Sequence, residues 1–218
     1  KGQIFVLISG HCVPTDENWL HNLVVPIAEG LVSYSYGRQV GRDSTKFSEI
    51  QLFEKYFPTY SKIPQKGFFV NNANSALSRE LWEKYRFDEE LTGLEDMDLA
   101  KRYVGEGGEV AYVSQANVYH IHDEKWSNTK RRYEREALAL QKIMPEIQVS
   151  IGDGFRYFFA AIMNDFSKAL VEQKVLKEWL SILKFRSAQY VGTYLGNHEH
   201  RKWSKERKDR YFYPTSEI

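Results

Sequence analysis

The chain is 218 residues long, enough for one large domain or two small ones. Its 42% hydrophobic and 27% charged residues are ordinary for a globular chain, and 30 Lys and Arg against 29 Asp and Glu leave a net charge of +1, which excludes a global basic field made for nucleic acid. A single cysteine, Cys12, excludes an intrachain disulfide and a multi-cysteine zinc site and fits a reducing compartment, and no apolar run reaches the ~18 residues of a spanning helix.

Residues 3–9 carry Ile4, Phe5, Val6, Leu7 and Ile8 without alternation, the pattern of a buried strand of parallel type. Such a strand so soon after the first residue, with no earlier strand to flank it, predicts a piece of a longer unit. Ser9-Gly10-His11 follows. Ligands of open α/β sheets gather beyond the carboxyl ends of strands, which makes His11 a candidate site residue. A cap at Thr15 or Asp16 opens a helix through Trp19, Leu20, Leu23 and Val24. Residues 31–36 are expected as a strand closed by Gly37-Arg38-Gln39, with Arg38 a candidate for a phosphate group. Phe47, Ile50, Leu52, Phe53, Tyr56 and Phe57 then recur at helical spacing until Pro58.

Residues 67–76 read as a strand that turns polar at its middle. Asn71, Asn72, Asn74 and Ser75 offer amides and a hydroxyl to a hydroxyl-rich ligand, turn chemistry being the alternative. Ser78 caps a helix over 79–85. A second helix start comes at Thr92, where Thr92 and Glu95 have the T-x-x-E spacing of a capping box and Asp96 and Asp98 occupy the first turn. Gly105, Gly107 and Gly108 end this helix. Two short strands are expected next, 110–113 and 116–121, with Ser114-Gln115 turning between them. The second places His120 and His122 on one face, because strand side chains alternate. An acidic helix start and a histidine pair on a nearby strand suit one site, against the plainer alternatives of capping acids and packed histidines.

After residue 122 helices alone are expected, over 124–144, from Asp153 or Gly154 onward, and over 175–195. A basic tail containing Trp203 follows. The expected architecture is an α/β unit over 1–122 and a helical appendix over 123–218.

Taken together, S-G-H-C-V-P followed by T-D-E-N-W-L, then Y-G-R-Q, N-N-A-N-S-A, F-D-E-E-L-T-G-L-E-D-M-D-L-A-K-R and A-N-V-Y-H resemble family 2 glycosyltransferases of the GT-A fold. The likeness is greatest to bacterial, rhamnosyltransferase-like members that build surface polysaccharides, and it runs from about residue 3 to 122, with an echo at 190–196. It implies a Rossmann-like mixed sheet lacking the N-terminal nucleotide-binding half, so that this polypeptide alone is expected to bind nucleotide-sugar poorly and to turn over little or nothing. It also implies an inverting hexosyl transfer from a nucleotide-diphosphate sugar to a saccharide acceptor, often lipid-linked, at the inner, cytoplasmic face of the membrane. On these positions Asp96, within the Glu95-Asp96 pair, is the base. Asn71, Asn72, Asn74 and Ser75 lie along donor sugar and acceptor, with Arg38 as a further cation for the leaving group, and His120 is a ligand of a divalent metal. The family's Asp-x-Asp metal motif is replaced here by Ser9-Gly10-His11, so a metal held by His11 and His120 is expected to be Mn²⁺ rather than Mg²⁺, imidazole suiting a transition ion. The replacement equally admits a non-catalytic carbohydrate-binding or scaffolding domain. A metal-dependent hydrolase on His11, Asp96, His120 and His122 lacks a dense acid cluster for two metals. An aromatic helix over 155–166 and the basic tail suit a peripheral contact with anionic lipid.

Overall fold

The apolar run at the start does form a strand, β1 (Ile4–Ile8), but at the edge of the sheet rather than inside it. The computed structural model, which describes residues 2–147 and 149–198, pairs β1 antiparallel with β4 (Asn74–Ser78), Ile4 opposite Ser78 and Ile8 opposite Asn74. Val6 and Ile8 stay exposed on the outward side, so the run is buried on one face only and the expected parallel, two-faced burial does not occur. β3 (Tyr34–Val40) lies on the other side of β4, antiparallel to it, and runs parallel to β5 (Val110–His120). A short β2 (Cys12–Pro14) closes the far edge antiparallel to β5, giving the order β1-β4-β3-β5-β2.

Three expectations about the strands are corrected. The strand at 31–36 begins at Tyr34 and continues through Gly37, Arg38 and Gln39, absorbing an irregularity between Gly37 and Gln39. The polar strand at 67–76 starts only at Asn74, after a turn that Asn71 closes by accepting the Asn74 amide proton at 3.2 Å. The two short strands at 110–121 are one, because Ser114 and Gln115 keep extended backbone: the Ser114 amide donates to Ser61 Oγ at 2.9 Å instead of making a turn.

Helices cover both faces. On one, α1 (Trp19–Ala28) sets Leu23, with Trp19, Val24 and Ile27, against Ala76, Val113 and Ala116. On the other, Tyr34, Tyr36, Leu77, Val110 and Tyr112 meet α2 (Phe47–Tyr56), α3 (Arg79–Tyr85) and α4 (Glu95–Gly105) through Phe53, Phe57, Leu81, Leu99 and Ala100. Period-two alternation explains the split in β3: Tyr34 and Tyr36 face one way, and Ser35 faces α1, donating to the Leu23 carbonyl at 2.6 Å. Ser78 caps α3 as expected, accepting from the Leu81 amide at 3.1 Å. Thr92 caps nothing. α4 begins after Leu94, whose φ of 58° and ψ of 23° are left-handed, a conformation that costs a bulky residue about 1–2 kcal/mol.

The three remaining helices are α5 (Trp126–Ile143), α6 (Ile151–Val171) and α7 (Val175–Asn197). α6 starts two residues earlier than Asp153 because Ser150 and Asp153 form a reciprocal capping box. α5 and α7 cross closely at two glycines: a Cβ on Gly192 would lie 2.3 Å from the Lys130 carbonyl oxygen, and one on Gly196 2.2 Å from that of Glu134. α6 is tied to α7 by a buried pair, Arg186 donating to both Asp165 oxygens at 2.7 Å. Its other side leaves Phe155, Phe159, Met163 and Leu170 exposed, and no helix among the described residues is long and apolar enough to cross a membrane. The basic tail lies outside the described residues beyond His198.

Candidate functional site

The tight turn after β1 brings His11 to the end of β5. The Cys12 amide donates to Ser9 O at 2.9 Å, and the Ile121 amide donates to His11 O at 3.1 Å, fastening the turn beside the His120-Ile121-His122 segment. The three imidazoles consequently stack into one cluster. Ring centres are 4.8 Å apart for His11 and His120, 5.3 Å for His11 and His122, and 4.1 Å for His120 and His122. One nitrogen from each lies within 4.8 Å of the others. His11 is exposed, His122 partly covered and His120 buried.

Each ring has a neighbour on Nδ1. Ser9 Oγ is 3.0 Å from His11 Nδ1 (and 3.3 Å from Nε2), His120 Nδ1 meets Gln39 Oε1 at 2.5 Å, and His122 Nδ1 meets Glu49 Oε1 at 2.8 Å. Glu49 also receives Arg132 at 2.8 Å, and Arg132 reaches Glu124 at 3.3 Å. His120 Nε2 is buried with no hydrogen-bond partner. Burial, with His122, His11 and Arg132 close by, pushes the His120 imidazole down to about 2; burial, then His122 and Arg132, lower His11 against an opposing Glu124 charge. Both rings are therefore neutral at physiological pH, the form that ligates a metal. Glu49 is held below the usual carboxylate range: burial opposes this, but the hydrogen bond to His122 and the charge of Arg132 outweigh it. Cys12, paired with His120 in the sheet register, lies outside this cluster, and burial raises its thiol to about 11.

The imidazoles open into a hollow of about 950 Å³ that Glu95 and Asp96 also line, together with Asn71, Asn72, Arg132 and Arg135. Asp96 sits at the N-terminus of α4, 7% exposed. Its Oδ2 accepts the Asn72 amide at 2.7 Å and its Oδ1 the Met97 amide at 2.8 Å. Burial raises its carboxyl to about 6, the Glu95 charge adding to the rise and the backbone amides opposing it. A carboxylate with that affinity for a proton is matched to general-base work near neutrality. Behind His120 and His122 lies a second cavity of about 510 Å³, largely apolar, between α2, α5 and α7; Phe53, Phe69, Leu140 and Met144 are among its walls.

Of the residues expected from sequence, His11, Glu95, Asp96, His120, Asn71 and Asn72 come together. Asn74, Ser75 and Arg38 do not, and they are corrected here. Asn74 and Ser75 are fully buried. Asn74 accepts from Trp19 Nε1 at 2.8 Å and donates to the carbonyls of Ala116 and Arg38, so its polar atoms stitch α1, β3 and β5 together. Ser75 donates to Asn72 Oδ1 at 2.8 Å. Arg38 lies in the β3–β5 irregularity and lines neither cavity. Sequence reasoning gave no role to Gln39, Glu49, Arg132 or Arg135. A buried Glu on an aromatic helix was the one available signal, since an acid in an apolar stripe needs a partner.

Compared with protein-family models and with curated proteins, the chain gives no match to either.

Proposed function

We propose that this chain carries the acceptor-activating and diphosphate-holding part of an inverting glycosyltransferase acting on a nucleotide-diphosphate sugar. The observation that carries the reading is the convergence of Asp96 and the imidazoles on one hollow, of a volume that suits a sugar diphosphate. Asp96 takes the proton of the acceptor hydroxyl as its oxygen bonds to the anomeric carbon. The bond from that carbon to the diphosphate oxygen breaks on the opposite side, inverting the centre. The two backbone amides on Asp96 fix the carboxylate in orientation, and Glu95 beside it keeps its proton affinity high. Arg132 and Arg135 place positive charge along the wall where a diphosphate would leave.

A divalent metal fits the residues present: His11 and His120 would hold it, and the unpartnered buried Nε2 of His120 is the atom a ligand would satisfy. When bound, it supplies charge neutralisation for the departing diphosphate. The apolar cavity behind His120 supports an acceptor with an apolar portion, as a lipid-linked saccharide has. The exposed ridge on α6 supports a peripheral contact with lipid. A carbohydrate-binding domain without transfer is the second reading, favoured by Ser9-Gly10-His11 standing where the resembled family has its metal carboxylates.

Incubation with labelled nucleotide-diphosphate sugars and saccharide acceptors tests the proposal. Where a nucleotide-binding half completes the site, transfer is expected, falling by at least about a hundredfold in Asp96→Asn while the fold survives. Saccharide binding by calorimetry without transfer from any donor supports the second reading. Undiminished transfer by Asp96→Asn removes Asp96 from the chemistry.

A further inference from the structure

We infer that the metal centre is a three-imidazole site, with His122 the third ligand and Glu49 and Gln39 its positioning residues, and that it takes a zinc-class transition ion in preference to Mn²⁺ or Mg²⁺. The inference stands apart from sugar transfer, since an ion can bind whether or not a sugar moves.

The protonation of His120 and of His122 is dictated by the surroundings of each ring. The Ala73 amide donates to Asn71 Oδ1 at 3.0 Å, so the Asn71 side chain presents its oxygen on that side. That same oxygen accepts from Gln39 Nε2 at 2.9 Å, which turns the Gln39 oxygen toward His120. An amide oxygen only accepts, so the His120 proton sits on Nδ1, 2.5 Å away, and Nε2 keeps its lone pair. A backbone N–H thus sets the His120 tautomer through two side-chain amides. At His122 a carboxylate does the same work: Glu49 Oε1 accepts from Nδ1 at 2.8 Å and is itself pinned by Arg132, leaving Nε2 for a ligand. Carboxylate or amide oxygens on the second nitrogen are the usual outer partners of metal-bound histidine, fixing ring orientation and raising ligand basicity.

Packing alone leaves a cost unexplained. His120 Nε2 is buried and unpartnered beside a second imidazole 4.1 Å away, and an orphaned buried acceptor is unfavourable. An ion shared with His122 and His11 removes that cost. Tetrahedral ligation with bonds of about 2.0–2.1 Å needs nitrogens about 3.4 Å apart. The nitrogens here lie within 4.8 Å of one another, and His11, exposed on a turn, is the ring free to close the remainder. Three nitrogen donors with a fourth position open to the hollow suit Zn²⁺ or Co²⁺. Mg²⁺ wants oxygen ligands, and Mn²⁺ stands lowest in the affinity order for nitrogen sites.

The test uses chelator-treated protein titrated calorimetrically with Zn²⁺, Mn²⁺ and Mg²⁺, and the visible ligand-field spectrum of the Co²⁺ form. One Zn²⁺ per chain is expected, bound more tightly than Mn²⁺ by an order of magnitude or more, with Mg²⁺ not competing. Glu49→Gln and Gln39→Leu should each weaken Zn²⁺ by about 10–100-fold. His122→Gln, which keeps a hydrogen-bond donor for Glu49 and so preserves the fold, should weaken it further and change the Co²⁺ spectrum. Zn²⁺ affinity unchanged in His122→Gln overturns the third ligand, and preference for Mg²⁺ or absence of Zn²⁺ binding overturns the site.

Discussion

Asp96 is held at a cost that titration can measure. Its carboxyl ionises near 6 in the folded chain against 3.8 for the ordinary group, burial being the main cause. Because the folded value is the higher one, the folded state keeps the proton longer than the unfolded chain. The proton-linked stability is complete below about 3.8 and is lost as pH rises through about 6, leaving the ionised protein about 3 kcal/mol less stable than the protonated one. Asp96→Asn removes the titration while keeping one oxygen for a backbone amide. Whatever its absolute effect on stability, the difference between variant and wild type must move with pH: in favour of the variant by about 1.4 kcal/mol from pH 5 to pH 8, and hardly at all above pH 7. Urea unfolding of both proteins across that range measures it. A difference flat from pH 5 to pH 8 would refute the raised ionisation and with it the matching of this carboxylate to base catalysis. The same ionisation predicts that transfer falls on the acid side of about pH 6.

Two further substitutions probe how the hollow is held. Arg132→Ala leaves the buried Glu49 charge with His122 alone, and breaking such a pair is expected to cost about 3–5 kcal/mol by urea unfolding. The pairing with Arg132 helps hold Glu49 below its ordinary range, so the deficit should shrink as pH falls and Glu49 protonates; a loss below about 1 kcal/mol at neutral pH would deny the network its role. Gly196→Ala should cost about 1–3 kcal/mol, because its Cβ would meet the Glu134 carbonyl at 2.2 Å. Gly154→Ala on α6, with nothing nearer than 4.0 Å, should instead gain up to about 1 kcal/mol of helix propensity, and thermal melts of the pair compare the two.

How much was legible in the chain follows from the range of the forces involved. Helix periodicity and the Ser78 cap are local, and α2 and α3 lie where spacing and stop residues put them; α1 holds Trp19, Leu20, Leu23 and Val24 as expected but opens after Asn18 with no side-chain cap, not from Thr15 or Asp16. His120 and His122 do come together as expected, although β5 ends at His120 and His122 stands past it. Sheet order is not local. Ile4 to Ile8 look the same to a neighbour-by-neighbour reading whether the strand ends up central and parallel or, as here, at an antiparallel edge. The capping-box spacing at Thr92 was a false signal, because Leu94 in a left-handed conformation starts α4 without a side-chain cap. Asn74 misled for a related reason: an amide suits a sugar and a buried junction equally, and only the approach of Trp19 and Ala116 from distant segments decides between them.

The division of the chain after residue 122 hides the most consequential of these long-range effects. Arg132, Arg135 and Glu136 of α5 line the same hollow as residues from the sheet half, and Arg132 holds the carboxylate that orients His122. α7 in turn fixes α5 through the close crossings at Gly192 and Gly196, and packs on α2, which carries Glu49. The helical half is therefore a wall of the site. A change on α7 that pushes α5 outward should loosen Glu49, then His122, then whatever the imidazoles hold. Metal affinity measured in Gly196→Ala reads that chain directly: it should weaken along with stability, and an affinity untouched by a destabilised α5–α7 crossing would mean that the imidazoles are set by the sheet alone.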